Sequence, residues 1–436
     1  MLALRVGLRP AATQCLRPAA TAALRGFGAE ATPVGPGLLK DLPDFALGAN
    51  HLREGHASEA KAPLERALEV ADAYFPQTAS RERALCRSSL GRCLWLQGRC
   101  KEAAAQWEAA AAAAKSSADS GGNAVPPAAG LTFAVNAATA RFQAGEFELA
   151  AKAIAEGELF ETAGVGVREQ AMLSSMRAAV EAVRGSGGGQ DVADGEQGSD
   201  SEAAMFLAGQ KANFLIGRSF PDSPDPSKTS VAQDLEVQLE EGTPLANLLL
   251  PKTNEDPANG APAGSVAGMT VRGTLGELAV RSGEGTQRWV RPMLLAALRE
   301  AEALPENADP VLTATLWRTL SSLALLLGRN EPVSAEGLLR SAIDHTEKVA
   351  KGPMAPAFAS GRGLLWRAQA LTDFAKLLED SRRAEERKTD TARLREQAAA
   401  LLKAEKPIVE LSPQELRWSM AWLPPVQAVE EKDLGF

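Results

Sequence analysis

Cys86, Cys93 and Cys100 stand seven residues apart in "LCRSSLGRCLWLQGRCKEA" (Leu85 to Ala103). Cysteines in close array can bind a metal or exchange a disulfide. On a helix, a spacing of seven separates Cα atoms by about 10.5 Å along the axis. That exceeds the ~7 Å reach of a disulfide. Zinc sites bring cysteines two to four residues apart, with further Cys or His partners. No such pair exists, and His51, His56 and His345 form no ligand-like array with the cysteines. The spacing therefore reads as the shadow of a helical repeat, with the thiols as small apolar packing groups. A Cys93–Cys100 redox contact across a turn is the alternative.

Other chemistry is equally sparse. No phosphate loop of the G-x-x-x-x-G-K-[ST] kind occurs. "GVGVRE" (Gly164–Glu169) lacks a third Gly and a preceding strand. Acid pairs such as Glu240–Glu241 and Glu430–Glu431 lie in polar segments. No local Ser/His/Asp or Cys/His set is present. The expectation is a non-catalytic protein with no catalytic residues, no metal and no cofactor.

Composition points to helices. The 436 residues are 45% hydrophobic with 5% aromatics, and Ala-rich runs recur. Ala loses no side-chain entropy in a helix. Alternating Val/Ile/Thr/Tyr runs are lacking. No apolar run approaches the ~20 residues that span a bilayer.

The N-terminus differs from the rest. Arg5, Arg9, Arg17 and Arg25 precede the first acid, Glu30. Such an Arg-rich, acid-free opening reads as a mitochondrial presequence over residues 1–27, with "RGF" (Arg25–Phe27) as the cleavage signal. A chloroplast transit peptide is the runner-up. The formal net charge is −8, and loss of those four arginines makes it more negative still. Phosphate backbones select clustered Lys and Arg, so nucleic acid is not an expected partner.

Repeats carry the architecture. "LGANHLREGHASEAKAPLERAL" from Leu47 aligns without a gap to "LGRCLWLQGRCKEAAAQWEAAA" from Leu90. Gly48 matches Gly91, Gly55 matches Gly98, Ala60 matches Ala103, and Leu64 matches Trp107. A third copy, "AATARFQAGEFELAAKAIAEG" from Ala137, places Ala138, Gly145 and Ala150 in the same series. A small residue on one helix lets the next approach, and a Gly seven residues later ends the first helix by accepting positive φ. Antiparallel helix pairs follow, each needing neighbours to cover its apolar face.

This series resembles the tetratricopeptide repeat family. The spacings of 43 residues (Gly48 to Gly91) and 47 (Gly91 to Ala138) exceed the standard 34. They are similar to the long repeats of kinesin light chain. Fainter copies place Gly276 and Gly283, Ser321 and Gly328, and Thr372 in the same roles. Their second helices are expected near Trp289–Leu304, Ala335–Lys351 and Arg393–Lys403. The expected fold is an all-α solenoid in two arrays. An N-terminal array covers 40–184, and a degenerate one 267–404. A Gly/Pro/acidic linker, 185–266, separates them and carries short helices at Ala203–Gly217 and Val231–Leu250. A tail, 405–436, carries a Trp-bearing helix.

Repeats of this kind bind through a concave face. The resemblance places Arg92, Trp95, Asn136, Thr139 and Gln143 in a partner-binding groove. The carboxylate clamp of chaperone-binding members is not matched: of Phe45, Ala49, Ser89, Thr132 and Asn136, only Asn136 suits it. In "LSPQELRWSMAWLPP", Ser412, Pro413 and Glu415 form a helix start. Trp418 and Trp422, four apart, are expected on one face of that helix, either capping the last repeat or anchoring in a partner. The whole implies a structural or assembly subunit of a large mitochondrial complex. Its site is the matrix or the matrix side of the inner membrane, and its partners are protein subunits. A soluble organellar adaptor or co-chaperone, or a mitoribosomal accessory protein, is the alternative.

Overall fold

The computed structural model describes residues 42–74, 80–117, 124–160, 165–184, 201–219, 249–250, 266–281, 289–302, 310–328, 330–352, 355–359, 361–381, 384–402 and 411–435. The expected presequence, the helix Val231–Leu250 except its last two residues, and Gly283 lie outside them. Among the described residues the chain is all-helical, with no strand. None of their helices is long and apolar enough to cross a membrane.

Among the described residues, fourteen helices pair in sequence as seven neighbouring pairs, six of them antiparallel hairpins and one, the fourth, a parallel pair. These are α1 (Pro43–Arg53) with α2 (Ala57–Tyr74), α3 (Ser80–Leu96) with α4 (Cys100–Ser117), and α5 (Pro127–Gln143) with α6 (Phe147–Glu158). Next come α7 (Val167–Arg184) with α8 (Ser201–Ser219), and α9 (Val266–Arg281) with α10 (Val290–Glu302). The last are α11 (Pro310–Leu327) with α12 (Pro332–Ala350), and α13 (Gly361–Glu379) with α14 (Lys388–Leu402). Each pair stacks on the next, as in an α-helical solenoid.

The repeat series has a physical basis in the packing. A Cβ on Gly48 would sit 2.6 Å from Leu64, one on Gly91 2.9 Å from Trp107, and one on Gly276 2.5 Å from Leu294. The helix pair closes only because that position is small, and the bulky partner on the second helix fills the space left. Gly55, Gly98 and Gly145 adopt φ of +79°, +74° and +77°. Gly328 also follows directly on its helix, α11, but its φ is not in the left-handed region.

One boundary moves. Helix α8, placed by sequence in the linker, packs along α7 and also touches α9. It completes a fourth pair, in which the two helices run parallel: Arg168 meets Glu202 near their starts and Gly217 lies against Ala182 near their ends. Through its contact with α9 it joins the two arrays into one stack. The acidic Gly-rich stretch before it hid the pairing.

The stack curls until distant hairpins meet. A Cβ on Gly98 would lie 2.5 Å from the Ala357 nitrogen, and one on Gly361 would lie 2.3 Å from the Gln143 carbonyl oxygen. The turn of the second hairpin therefore abuts the short 3-10 turn Ala355–Phe358 that precedes the seventh. This gives a paired prediction. Gly55→Ala, with open space around it, costs only the left-handed φ, about 1–2 kcal/mol. Gly98→Ala has nearly the same φ but strikes main-chain atoms, which adds about 1–3 kcal/mol of overpacking. Urea unfolding of the two variants measures the difference; equal losses would show that the second hairpin does not touch the seventh.

Candidate interaction groove

The tail supplies the surprise. Ser412 caps α15 (Pro413–Met420) as the sequence suggested: its hydroxyl accepts from the Glu415 amide, and the Glu415 carboxylate accepts from the Ser412 amide at 2.9 Å. The helix stops at Met420, and residues 421–430 run without regular structure to a 3-10 turn at Glu431–Leu434. Pro424 and Pro425 cannot extend a helix, because they lack the N–H donor. Trp422 is therefore beyond the helix and does not share a helical face with Trp418, contrary to the four-residue spacing.

The tail lies along the first helices of six successive pairs, the second to the seventh, and along α8, the second helix of the fourth. Asn136 on α5 donates to the Gln427 carbonyl and accepts from the Gln427 amide, both at 3.0 Å. Asn213 on α8 does the same for Trp422, at 2.8 and 2.7 Å. Each Asn side chain thus satisfies both main-chain groups of one tail residue, as a neighbouring β-strand would. Arg168 on α7 donates to the Gln427 side chain at 2.5 Å. Thr270 on α9 accepts from the Trp422 indole at 2.8 Å. Arg318 on α11 donates to the Met420 carbonyl at 3.3 Å. On α13, Arg362 donates to the Ser419 and Ala421 carbonyls and Trp366 to the Ser419 carbonyl at 2.6 Å. Arg81 on α3 reaches the Gly435 carbonyl at 3.2 Å.

Packing follows the same track. Trp422 is 2% exposed and lies against Gly209, where a Cβ would fall 2.1 Å from its ring. Trp418 meets Phe147 edge-on at 5.4 Å and covers Gly145. Neither tryptophan caps the last hairpin; the tail folds back into the stack.

Behind the tail sits a buried ionic cluster. Glu277 is 2% exposed and accepts from Arg281 at 2.8 Å and Arg318 at 2.6 Å. Arg281 also pairs with Asp373 at 2.9 Å. Burial alone would raise the Glu277 carboxyl, but the charges and hydrogen bonds of Arg318 and Arg281 outweigh it and hold it below the usual carboxylate range. Among the described residues Arg362 meets carbonyls at the end of α15 and the Trp366 and Phe142 rings, and no carboxylate pairs with it.

The residues assigned to a partner groove can now be placed. Asn136 grips the tail. The Trp95 indole donates to Gln143 at 2.5 Å. Thr139 is buried against the Met176 sulfur. Trp95, Thr139 and Gln143 line a cavity of about 20 Å³ whose far wall is Ala421–Pro424. Arg92 is half-buried on α3. In this chain the groove side of these helices is filled by its own C-terminus.

No protein-family model, curated protein or solved structure matches the chain.

Asn213, Thr270, Arg318 and Arg362 were not singled out from sequence. A faint signal exists. Asn is a poor helix former whose side chain competes with the backbone, and Arg318 interrupts the apolar run "LTATLWRTLSSLALLL". Cys86, Cys93 and Cys100 are packing groups. Cys93 donates to the Ala57 carbonyl at 3.1 Å. Burial pushes Cys86 and Cys93 up to about 12 and Cys100 up to about 11. Thiols held so far from the thiolate form are poor nucleophiles.

Proposed function

We propose that this chain is a non-catalytic scaffold of the tetratricopeptide type, a structural or assembly subunit of a large mitochondrial complex. The tail-filled groove is the observation that carries the reading. A transient adaptor holds exchanging peptides in its concave face. Here that face is bonded to the chain itself from α3 to α13, which favours a rigid spacer over a peptide receptor. Binding then falls to outer surfaces. Tyr74, Leu159, Val167 and Val333 are large apolar side chains between 57% and 85% exposed, and interfaces bury such groups. The Gly48–Leu64 and Gly91–Trp107 pairs support the repeat type. The acidic balance favours the periphery of a respiratory complex or ATP synthase over a mitoribosome. The Arg-rich opening supports import.

Native-gel separation of organelle membranes in mild detergent, with mass spectrometry of each slice, tests this. The chain should run only with a megadalton assembly and carry a mature N-terminus near Gly28. Migration as a free chain would overturn the subunit reading in favour of the adaptor.

A further inference from the structure

The positive-φ turns bring two particular side chains together: the residue four before the Gly and the residue one after it. In the third hairpin these are Arg141 and Glu146, and they form an ion pair at 2.7 Å. The same main-chain bond closes all three turns: His56 donates to the His51 carbonyl at 2.8 Å, Arg99 to Leu94 at 2.9 Å, and Glu146 to Arg141 at 2.9 Å. In the first hairpin the two positions are His51 and His56, whose ring centroids are 6.3 Å apart. The chain has only three histidines, so two of them meet in one turn. Glu54, just before Gly55, joins them. One ligand atom from each of the three lies within 4.8 Å of the others.

We propose that the turn between α1 and α2 binds a zinc-class divalent cation through His51, Glu54 and His56. Two imidazoles and a carboxylate suit zinc, whereas calcium and magnesium favour all-oxygen shells. His51 Nδ1 is buried without a hydrogen-bond partner; its nearest carboxylate oxygen, on Glu59, is 3.6 Å away. Bonds near 2.1 Å set tetrahedral ligand atoms ~3.4 Å apart, so the three groups must close by up to about 1.4 Å. Glu54 and His56 can do so by side-chain rotation, since their side chains are 63% and 55% exposed. The backbone already holds the turn. The second hairpin is an internal control: its equivalent positions are Leu94, Gln97 and Arg99.

The test is calorimetric titration of zinc chloride into the full chain stripped of metals with EDTA. One zinc per chain should bind with micromolar affinity. His56→Ala should weaken binding at least about tenfold while the metal-free melting curve stays unchanged. Cobalt substituted into the wild type should give a visible absorption band that the variant loses. Glu54→Gln is the second variant, should His56→Ala fail to fold, and should weaken binding in the same direction. Absence of saturable zinc uptake, or uptake indifferent to both substitutions, would overturn the assignment.

Discussion

Deleting residues 411–436 lowers the stability of the chain by more than about 5 kcal/mol, enough to threaten folding in a protein of ordinary stability. The deletion removes the buried Met420, Trp422 and Leu423 side chains, each worth roughly 1.5–3 kcal/mol of burial. It also strips partners from Asn136, Asn213, Arg318, Arg362 and Trp366. A single change isolates the centre of this effect. Trp422→Ala leaves a cavity over Gly209 and removes the indole that donates to the Thr270 hydroxyl, at a cost of about 3–5 kcal/mol. Circular dichroism during urea or thermal unfolding reads both. A truncated chain that melts like the full one would show the tail to be an appendage.

Glu277→Ala is the second large effect, also about 3–5 kcal/mol. Its cause is different. The substitution leaves Arg281 with Asp373 alone and Arg318 with the Met420 carbonyl and the Trp366 ring, while the two side chains are only 10% and 12% exposed. Glu277→Gln separates charge from shape, since the amide fills the same space. The sign of the pH dependence follows from the depressed carboxyl. The folded state binds the Glu277 proton more weakly than the unfolded chain does. Its contribution is therefore fully present above the unfolded value near 4.5 and is lost as pH falls through the lower folded value. Stability measured from pH 7 to pH 3 should fall less steeply in Glu277→Gln than in the wild type. Equal slopes would show that Glu277 gains nothing from its arginines on folding.

The helix pairs were legible because each is a local event. Gly48 with Leu64, Gly91 with Trp107, and the three left-handed glycines all act within one hairpin, where spacing in sequence equals spacing in space. The capping box at Ser412 is local too. What escaped was everything that joins distant parts. Asn136 and Gln427 are 291 residues apart, and Asn213 and Trp422 are 209 apart. No periodicity relates them. The pairing of helix α8 escaped because its partner α7 lies across a polar, Gly-rich stretch that resembles a linker. Trp95, Asn136, Thr139 and Gln143 lie on the first helices of their pairs and face the tail. That the chain's own tail occupies their groove could not be read from them. Trp418 and Trp422 misled for a simple reason: the prolines at 424 and 425 end the helix before the second indole.

Hydrogen exchange at the Trp422 and Gln427 amides tests the self-filled groove most directly. Both N–H groups are donated to asparagine side chains, and the Trp422 amide lies in the buried core. Exchange of both should be as slow as in the most protected helices, and Asn213→Ala should release the Trp422 amide selectively. Exchange of residues 421–430 at the rate of a free peptide would contradict the account. It would leave the groove open and return the transient adaptor to first place.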